Sequence, residues 1–361
     1  MPFRRFHNNN NKNIHKNIHN HILHRLTGSF GLETMKAAAR DIVSVKLELT
    51  PENGYVPESL FDTRGDVSFV LGWGNYLPGL HDLVTGMSQG STVENVSIDG
   101  GWGERNENMI IEVPKTNFKK IKSIDSIQEG SVLNLKGDGK VQVLVVKVTE
   151  DTIVVDANPP LAGSSYSCSL TVTGVCRFPS SKLQYHQPSK EIVEESPLEV
   201  ATWAMGCFWG GELAFMRVPG VVGTRVGYTQ GLKKDPTYEE VCQGDTKHRE
   251  AIMVVYDPRV VTYEELLKTF LERLRITIAQ YKINLFEVED ESNQYQHGIY
   301  YHNDEQKVLA QDAIAINNNA FNVELKQATV FYDAEEYHQQ YLLKGGQSAR
   351  KGAKETIRCY G

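Results

Sequence analysis

Between Phe178 and Leu198 the chain loses all apolar periodicity. Phe178-Pro-Ser-Ser-Lys182, Gln187-Pro-Ser-Lys190 and Glu194-Glu-Ser-Pro197 follow one another without an amphipathic pattern. Such a stretch cannot lie in a packed layer and reads as an interdomain linker over 179–198. The 361 residues must therefore build at least two apolar cores, one on each side of it. Material for them is present, with 40% hydrophobic and 23% charged residues. A net charge of −7 argues against a nucleic-acid-binding face, which needs clustered positive charge. No apolar run approaches the ~20 residues that span a bilayer, so no membrane partner is expected.

Upstream, residues Met1 to Leu32 contain no Asp or Glu, five basic residues (Arg4, Arg5, Lys12, Lys16, Arg25) and an asparagine run from Asn8 to Asn11. A segment so poor in apolar surface cannot offset the entropy of ordering, so 1–40 is expected to be a disordered leader. It lacks the apolar centre of a secretory signal. Two readings stay open: an organelle transit peptide, for a mitochondrion or plastid, or a low-complexity extension of a cytoplasmic protein.

From 41 to 178 the pattern is that of strands. Val43, Val45, Leu47 and Leu49 alternate with Ser44, Lys46 and Glu48, as in a half-buried strand. Val141 to Val148 is a near-continuous β-branched run, expected to be a more deeply buried one. Cys168, Leu170 and Val172 again share a face. Four segments then fall in a familiar order: Phe61-Asp62, Phe69-Val-Leu-Gly-Trp-Gly-Asn-Tyr-Leu-Pro-Gly79, Gly101-Trp-Gly-Glu104 and Val154-Val-Asp-Ala-Asn-Pro-Pro-Leu-Ala-Gly163. They resemble FKBP-type prolyl isomerases of the SlyD-like branch, which carry a small β-rich insert, here at about 108–157. The resemblance implies an apolar pocket lined by Asp62, Phe69, Tyr76, Leu77 and Trp102. Such a pocket favours the twisted over the planar prolyl amide, lowering a barrier of ~18–20 kcal/mol. Trp102 replaces the family's usual Tyr, and Val67 and Cys168 stand where aromatics are common.

Beyond the linker, Val200 to Met205 is a short apolar strand that runs into Gly206-Cys207-Phe208-Trp209-Gly210-Gly211. A helix carrying Leu213, Phe215 and Met216 should follow and stop at Pro219-Gly220. Cys207 then sits at a helix N-terminus, where unpaired N–H groups and the macrodipole favour a thiolate. The remaining cysteines, Cys168, Cys176, Cys242 and Cys359, form neither CxxC pairs nor a zinc-type cluster, so no metal site is expected.

Gly206-Cys-Phe-Trp-Gly210 does not stand alone. Val218-Pro-Gly-Val221, Val226-Gly-Tyr-Thr-Gln-Gly231, Asp235-Pro-Thr-Tyr-Glu-Glu-Val-Cys242, Gly244-Asp-Thr-Lys-His-Arg-Glu250, Ala334-Glu-Glu-Tyr-His-Gln-Gln-Tyr-Leu342 and Ile357-Arg-Cys-Tyr-Gly361 follow. In this order they resemble the A-type peptide methionine sulfoxide reductases, particularly plant-type members, over all of 199–361. The fold class implied is multidomain α+β: a mainly-β FKBP-like sheet domain with its insert, then an α/β plait (ferredoxin-like) reductase domain.

The resemblance assigns roles. Cys207 is the nucleophile, Phe208 and Trp209 an apolar slot for the sulfoxide methyl, and Glu250 the acid, its pKa raised by desolvation. Tyr238 and Tyr295 would hydrogen-bond the sulfoxide oxygen, and Asp290 matches a family acidic position less well. Attack on the S sulfoxide leaves a sulfenic acid, which Cys359 resolves to a disulfide. No cofactor is bound, oxidised proteins or peptides are the substrates, and thioredoxin is the external reductant. Cys242 matches a buried structural cysteine of the family. The stretch Leu274 to Ser292 departs from the family pattern and reads as an altered, longer loop after the Thr262 helix. This leaves an alternative: a chaperone or isomerase protein whose reductase is impaired.

Overall fold

The structure is a computed structural model, and it describes residues 35–53, 60–100, 102–118, 124–135, 141–179, 197–281, 294–317 and 321–358. Most of the leader, most of the linker, Asp290 and Cys359 therefore lie outside the described residues. Residues 35–40, which the sequence reading assigns to the leader, are pinned in place. Ala37 is buried and its amide donates to Met87 O (2.8 Å), while Arg40 N donates to Leu71 O (2.8 Å).

The chain opens with strands β1 (Ile42–Asn53) and β2 (Arg64–Val70), the helix α1 (Pro78–Val84) and strand β3 (Thr92–Asp99). Strands β4 (Ile110–Pro114), β5 (Val132–Leu135), β6 (Val141–Val148) and β7 (Thr152–Asp156) then make a sheet of their own, in the order β4-β7-β6-β5. Strand β8 (Ser165–Cys176) returns to complete the first sheet, ordered β2-β1-β8-β3 and antiparallel throughout. The alternation read from β1 holds, with Val43, Val45, Leu47 and Leu49 buried, and Cys168, Leu170 and Val172 of β8 are buried beside them. β6 is less buried than its composition suggests. Val143 and Val145 reach a small core, but Leu144 and Val146 are only half-buried, because the insert sheet has one covered face.

The second half is a mixed sheet of six strands: β9 (Glu199–Ala204), β10 (Val221–Thr229), β11 (Arg249–Tyr256), β12 (Gly298–Tyr301), β13 (Glu324–Gln327) and β14 (Tyr332–Asp333), in the order β13-β12-β9-β11-β10-β14. Among the described strands of this sheet, only β12 and β13 pair in parallel. Helices α2 (Phe208–Met216), α3 (Tyr238–Cys242), α4 (Tyr263–Tyr281), α5 (Asp304–Ile316) and α6 (Tyr341–Lys344) complete it. A capping box opens α4, with Thr262 N donating to Glu265 Oε2 (2.9 Å) and Glu265 N to Thr262 Oγ1 (3.2 Å). Its stripe of Tyr263, Leu266, Leu267, Phe270 and Leu274 is buried against the sheet. The helix continues to Tyr281, so the first turns of the stretch read as an altered loop are helical.

All eight residues of β11 are buried, so both faces of the sheet are covered. Ile252, Val254 and Tyr256 meet α2 and α4 on one face. Ala251, Met253 and Val255 on the other meet Ile42, Val70 and Trp73 of the first half. The two sheets thus share a core. Polar contacts seal it: Asn75 Nδ2 donates to Thr224 Oγ1 (3.2 Å), and Thr224 N donates to Asn75 Oδ1 (3.1 Å).

Candidate active site

β9 must turn sharply into α2. Gly206, at φ +82°, makes that turn without a Cβ clash, and Cys207 becomes the N-cap residue, half-buried. α2 then lies close on the sheet. A Cβ on Gly211 would stand 2.6 Å from Met205 Sδ and also collide with Ile252.

The N-terminus of α2 leaves backbone N–H groups without helical partners. That of Phe208 donates to Glu250 Oε2 at 3.2 Å, which places the carboxyl beside the residue next to Cys207. Glu250 stands near the start of β11, paired in register with Tyr228 of β10, and is 2% exposed. Burial pushes its carboxyl up to about 8, against the opposing pull of the Phe208 amide. Gln294 holds it from the other side: Gln294 Nε2 donates to Glu250 Oε1 (3.3 Å), and Glu250 N donates to Gln294 O (2.9 Å).

Two phenols border this carboxyl. Tyr238 opens α3 behind a Thr237–Glu240 capping box, and its amide donates to Glu335 Oε1 (2.9 Å). Burial raises its hydroxyl above the usual range, aided by a hydrogen bond with Cys242 and by the Glu250 charge. Tyr295 follows Gln294. Burial, and then the nearby Glu250 charge, push it up to about 12, with Cys207 also among its electrostatic neighbours. Phe208 is buried, with its ring 6.4 Å from that of Trp209.

The structure thus brings Cys207, Phe208, Trp209, Tyr238, Glu250 and Tyr295 together. It also adds residues without a role in the sequence reading. His338 lies among the rings of Phe208 (5.3 Å), Trp209 (5.7 Å) and Tyr238 (4.5 Å). Its Nδ1 accepts from Trp209 Nε1 at 3.3 Å, which fixes the indole edge. Tyr341 stacks on Trp209, 4.0 Å between centroids and 16° between planes. His338 and Tyr341 both fall in the segment Ala334 to Leu342 that drew attention in the sequence, whereas Gln294 carries no local signal. Cys242 corrects an expectation: it is exposed rather than buried, one helical turn beyond Tyr238. α3 is a single short turn on the surface and leaves its last residue facing solvent. Burial pushes the Cys168 and Cys176 thiols each up to about 11, which suits packing rather than nucleophilic chemistry.

In the first half, Phe69 and Leu77 are buried in one apolar cluster, with Tyr76 and Trp102 packed against it. The Tyr76 ring lies 4.7 Å from that of Phe61. Its hydroxyl is raised by burial and then by the charge of Asp62, which places Asp62 near Tyr76. The Tyr76 hydroxyl and Trp102 Nε1 are buried without hydrogen-bond partners among the described residues. Also among the described residues, no group of three or more His, Cys, Asp or Glu is placed to hold a metal ion, and no helix is long and apolar enough to cross a membrane.

Residues 199–357 match the family model for peptide methionine sulfoxide reductase, and residues 33–116 that for FKBP-type peptidyl-prolyl cis-trans isomerase. Peptide methionine sulfoxide reductase A2-1 of Oryza sativa subsp. japonica is 44% identical over 178 residues, covering 48% of this chain and 92% of the relative. The chloroplastic A4 reductase of Arabidopsis thaliana is 44% identical over 192 residues, covering 51% and 72%. Among solved structures, methionine sulfoxide reductase A of Corynebacterium diphtheriae is 30% identical and covers 48% of this chain and 90% of its own, with a TM-score of 0.36. The chain belongs to the peptide methionine sulfoxide reductase family, with an FKBP-type peptidyl-prolyl cis-trans isomerase module ahead of its reductase half.

Proposed function

We propose that Cys207 reduces methionine sulfoxide with Glu250 as the proton donor. The observation that carries this reading is the Phe208 N–H···Oε2 Glu250 contact of 3.2 Å, which sets a buried carboxyl, pushed up to about 8, at the helix terminus that holds the thiol. The substrate methyl group packs in the slot of Phe208 and Trp209. The Tyr238 and Tyr295 hydroxyls donate to the sulfoxide oxygen as it gains basicity. Glu250 protonates that oxygen, and the Cys207 sulfur attacks the substrate sulfur. Oxygen passes to the thiol: methionine leaves, reduced by two electrons, and Cys207 becomes a sulfenic acid, oxidised by two. Cys359 then condenses with it, releasing water and forming a disulfide. A thioredoxin dithiol reduces that bond by exchange. Asp290, which lies outside the described residues, remains a candidate auxiliary acid on the family resemblance alone.

The FKBP-type module, residues 41–178, supplies a site for exposed proline-containing polypeptide, so that oxidised protein segments are bound near the reductase. Turnover of a methionine-S-sulfoxide peptide with thioredoxin and its reductase tests the scheme. Wild type should turn over. Cys207→Ser should be inactive. Cys359→Ser should release one methionine per chain and stop. Continued turnover of Cys359→Ser would remove Cys359 from the mechanism, and activity in Cys207→Ser would remove the nucleophile.

A further inference from the structure

The reductase's own C-terminal segment lies against the isomerase pocket. Tyr341 of α6 stacks on Trp209, but the next two residues, Leu342 and Leu343, are buried in the apolar cluster that contains Phe61, Phe69 and Leu77. Ala349 N donates to Leu60 O at 2.8 Å. Arg350 follows, with both Nε and Nη2 3.2 Å from Asp62 Oδ1. Ala349 and Ile357 pack against the cluster that Tyr76 and Trp102 border.

The segment is also tied to the reductase. Arg217 Nε donates to Ser348 O (2.7 Å), Gly352 N donates to Arg217 O (2.7 Å), and Lys351 Nζ donates to Met216 O (2.6 Å) and Val221 O (2.8 Å). Residues 341–358 contain no proline, so the segment sits at a prolyl site without being a substrate for it.

A prolyl polypeptide entering this pocket approaches the Asp62 carboxylate that Arg350 engages and the Leu60 backbone to which Ala349 is bonded, beside the apolar cluster that Leu342, Leu343, Ala349 and Ile357 join. We propose that the C-terminal segment is an intramolecular plug of the isomerase pocket, with Arg350 as its ionic latch and Ile357 as its apolar one. The inference rests on reading 41–178 as a prolyl isomerase module. It adds that the pocket is closed by the reductase until the segment is displaced.

The test is cis–trans isomerisation of a proline-containing tetrapeptide by the full chain, with methionine sulfoxide reduction measured in parallel. Arg350 and Asp62 are both substantially exposed, so the latch alone contributes little: Arg350→Glu should raise isomerase kcat/KM by about two- to five-fold. Arg350→Lys should stay near wild type. Arg350→Glu with Ile357→Ser should raise it by roughly ten-fold or more, since an apolar anchor is lost as well. The first turnover of the reductase should be unchanged in all three, which also shows that the chains are folded. Equal, non-zero isomerase activity in wild type and variants would overturn the plug while leaving the module an isomerase. Absence of activity in every variant would overturn the module reading and the plug with it.

Discussion

At the scale of single residues, the proposed chemistry turns on one proton. Burial pushes the Glu250 carboxyl up to about 8, which favours its protonated form at neutral pH. The proton-donating step should therefore weaken as pH rises through about 8, visible in the single-turnover rate. Glu250→Gln keeps the shape, cannot supply the proton, and should slow the first turnover roughly a hundred- to ten-thousand-fold. A rate within a few-fold of wild type would reassign the acid. Stability follows the same sign. The folded chain holds a proton that the unfolded chain releases in the ordinary carboxyl range, so stability present at low pH is lost as pH rises from there to about 8. Glu250→Gln should flatten that part of the pH–stability curve in urea unfolding. Cys207 and Glu250 stood out as candidates because each sits in a contiguous motif. Gln294 was not, because it reaches Glu250 from 44 residues away and glutamine carries no chemical signature of its own. His338 was visible as a residue, but its task of holding the Trp209 indole exists only in three dimensions.

At the scale of elements, the strand–Gly–Cys–helix unit was readable because each part obeys a local rule: an apolar strand, a glycine at positive φ, an N-cap, and a stop at Pro219-Gly220. The small residues inside α2 needed the structure. Gly211 is there because the helix packs directly on Met205 and Ile252. Gly211→Ala should therefore destabilise the chain despite alanine's better helix propensity, by about 1–3 kcal/mol of overpacking, read from the urea midpoint. An unchanged or higher midpoint would mean that the contact relaxes freely. Burial depth was the less legible property. The β-branched run of β6 looks like a two-sided core strand, yet among its described side chains only Val143 and Val145 are fully buried in the insert's core, with Val148 packed at its edge. The full burial of β11 was legible in principle from its apolar run, but a run alone does not say what covers each face.

At the scale of the molecule, the linker composition suggests two bodies on a string, whereas the described residues share one core across the division. Ile42, Val70 and Trp73 cover the face of the reductase sheet that its helices leave bare, and they join Val200, Met253 and Val255 in one buried cluster. Sequence patterning reports that a face is apolar and is silent about which distant segment will cover it. The consequence is cooperative. Separating the halves would expose that face and strip Asn75 and Thr224 of their paired hydrogen bonds, so the first sheet and the reductase sheet should melt in a single calorimetric transition. Gly223 tests this from inside the seam. A Cβ there would stand 2.6 Å from Val70 Cγ2 and 3.1 Å from Trp73 Cε3. Gly223→Val should wedge the halves apart at about 1–3 kcal/mol of overpacking and split the single transition into two, the lower one accompanied by increased binding of an apolar dye. If wild type already melts in two steps that Gly223→Val leaves in place, the shared core does not couple the halves, and the isomerase module is a tethered neighbour rather than one wall of the reductase.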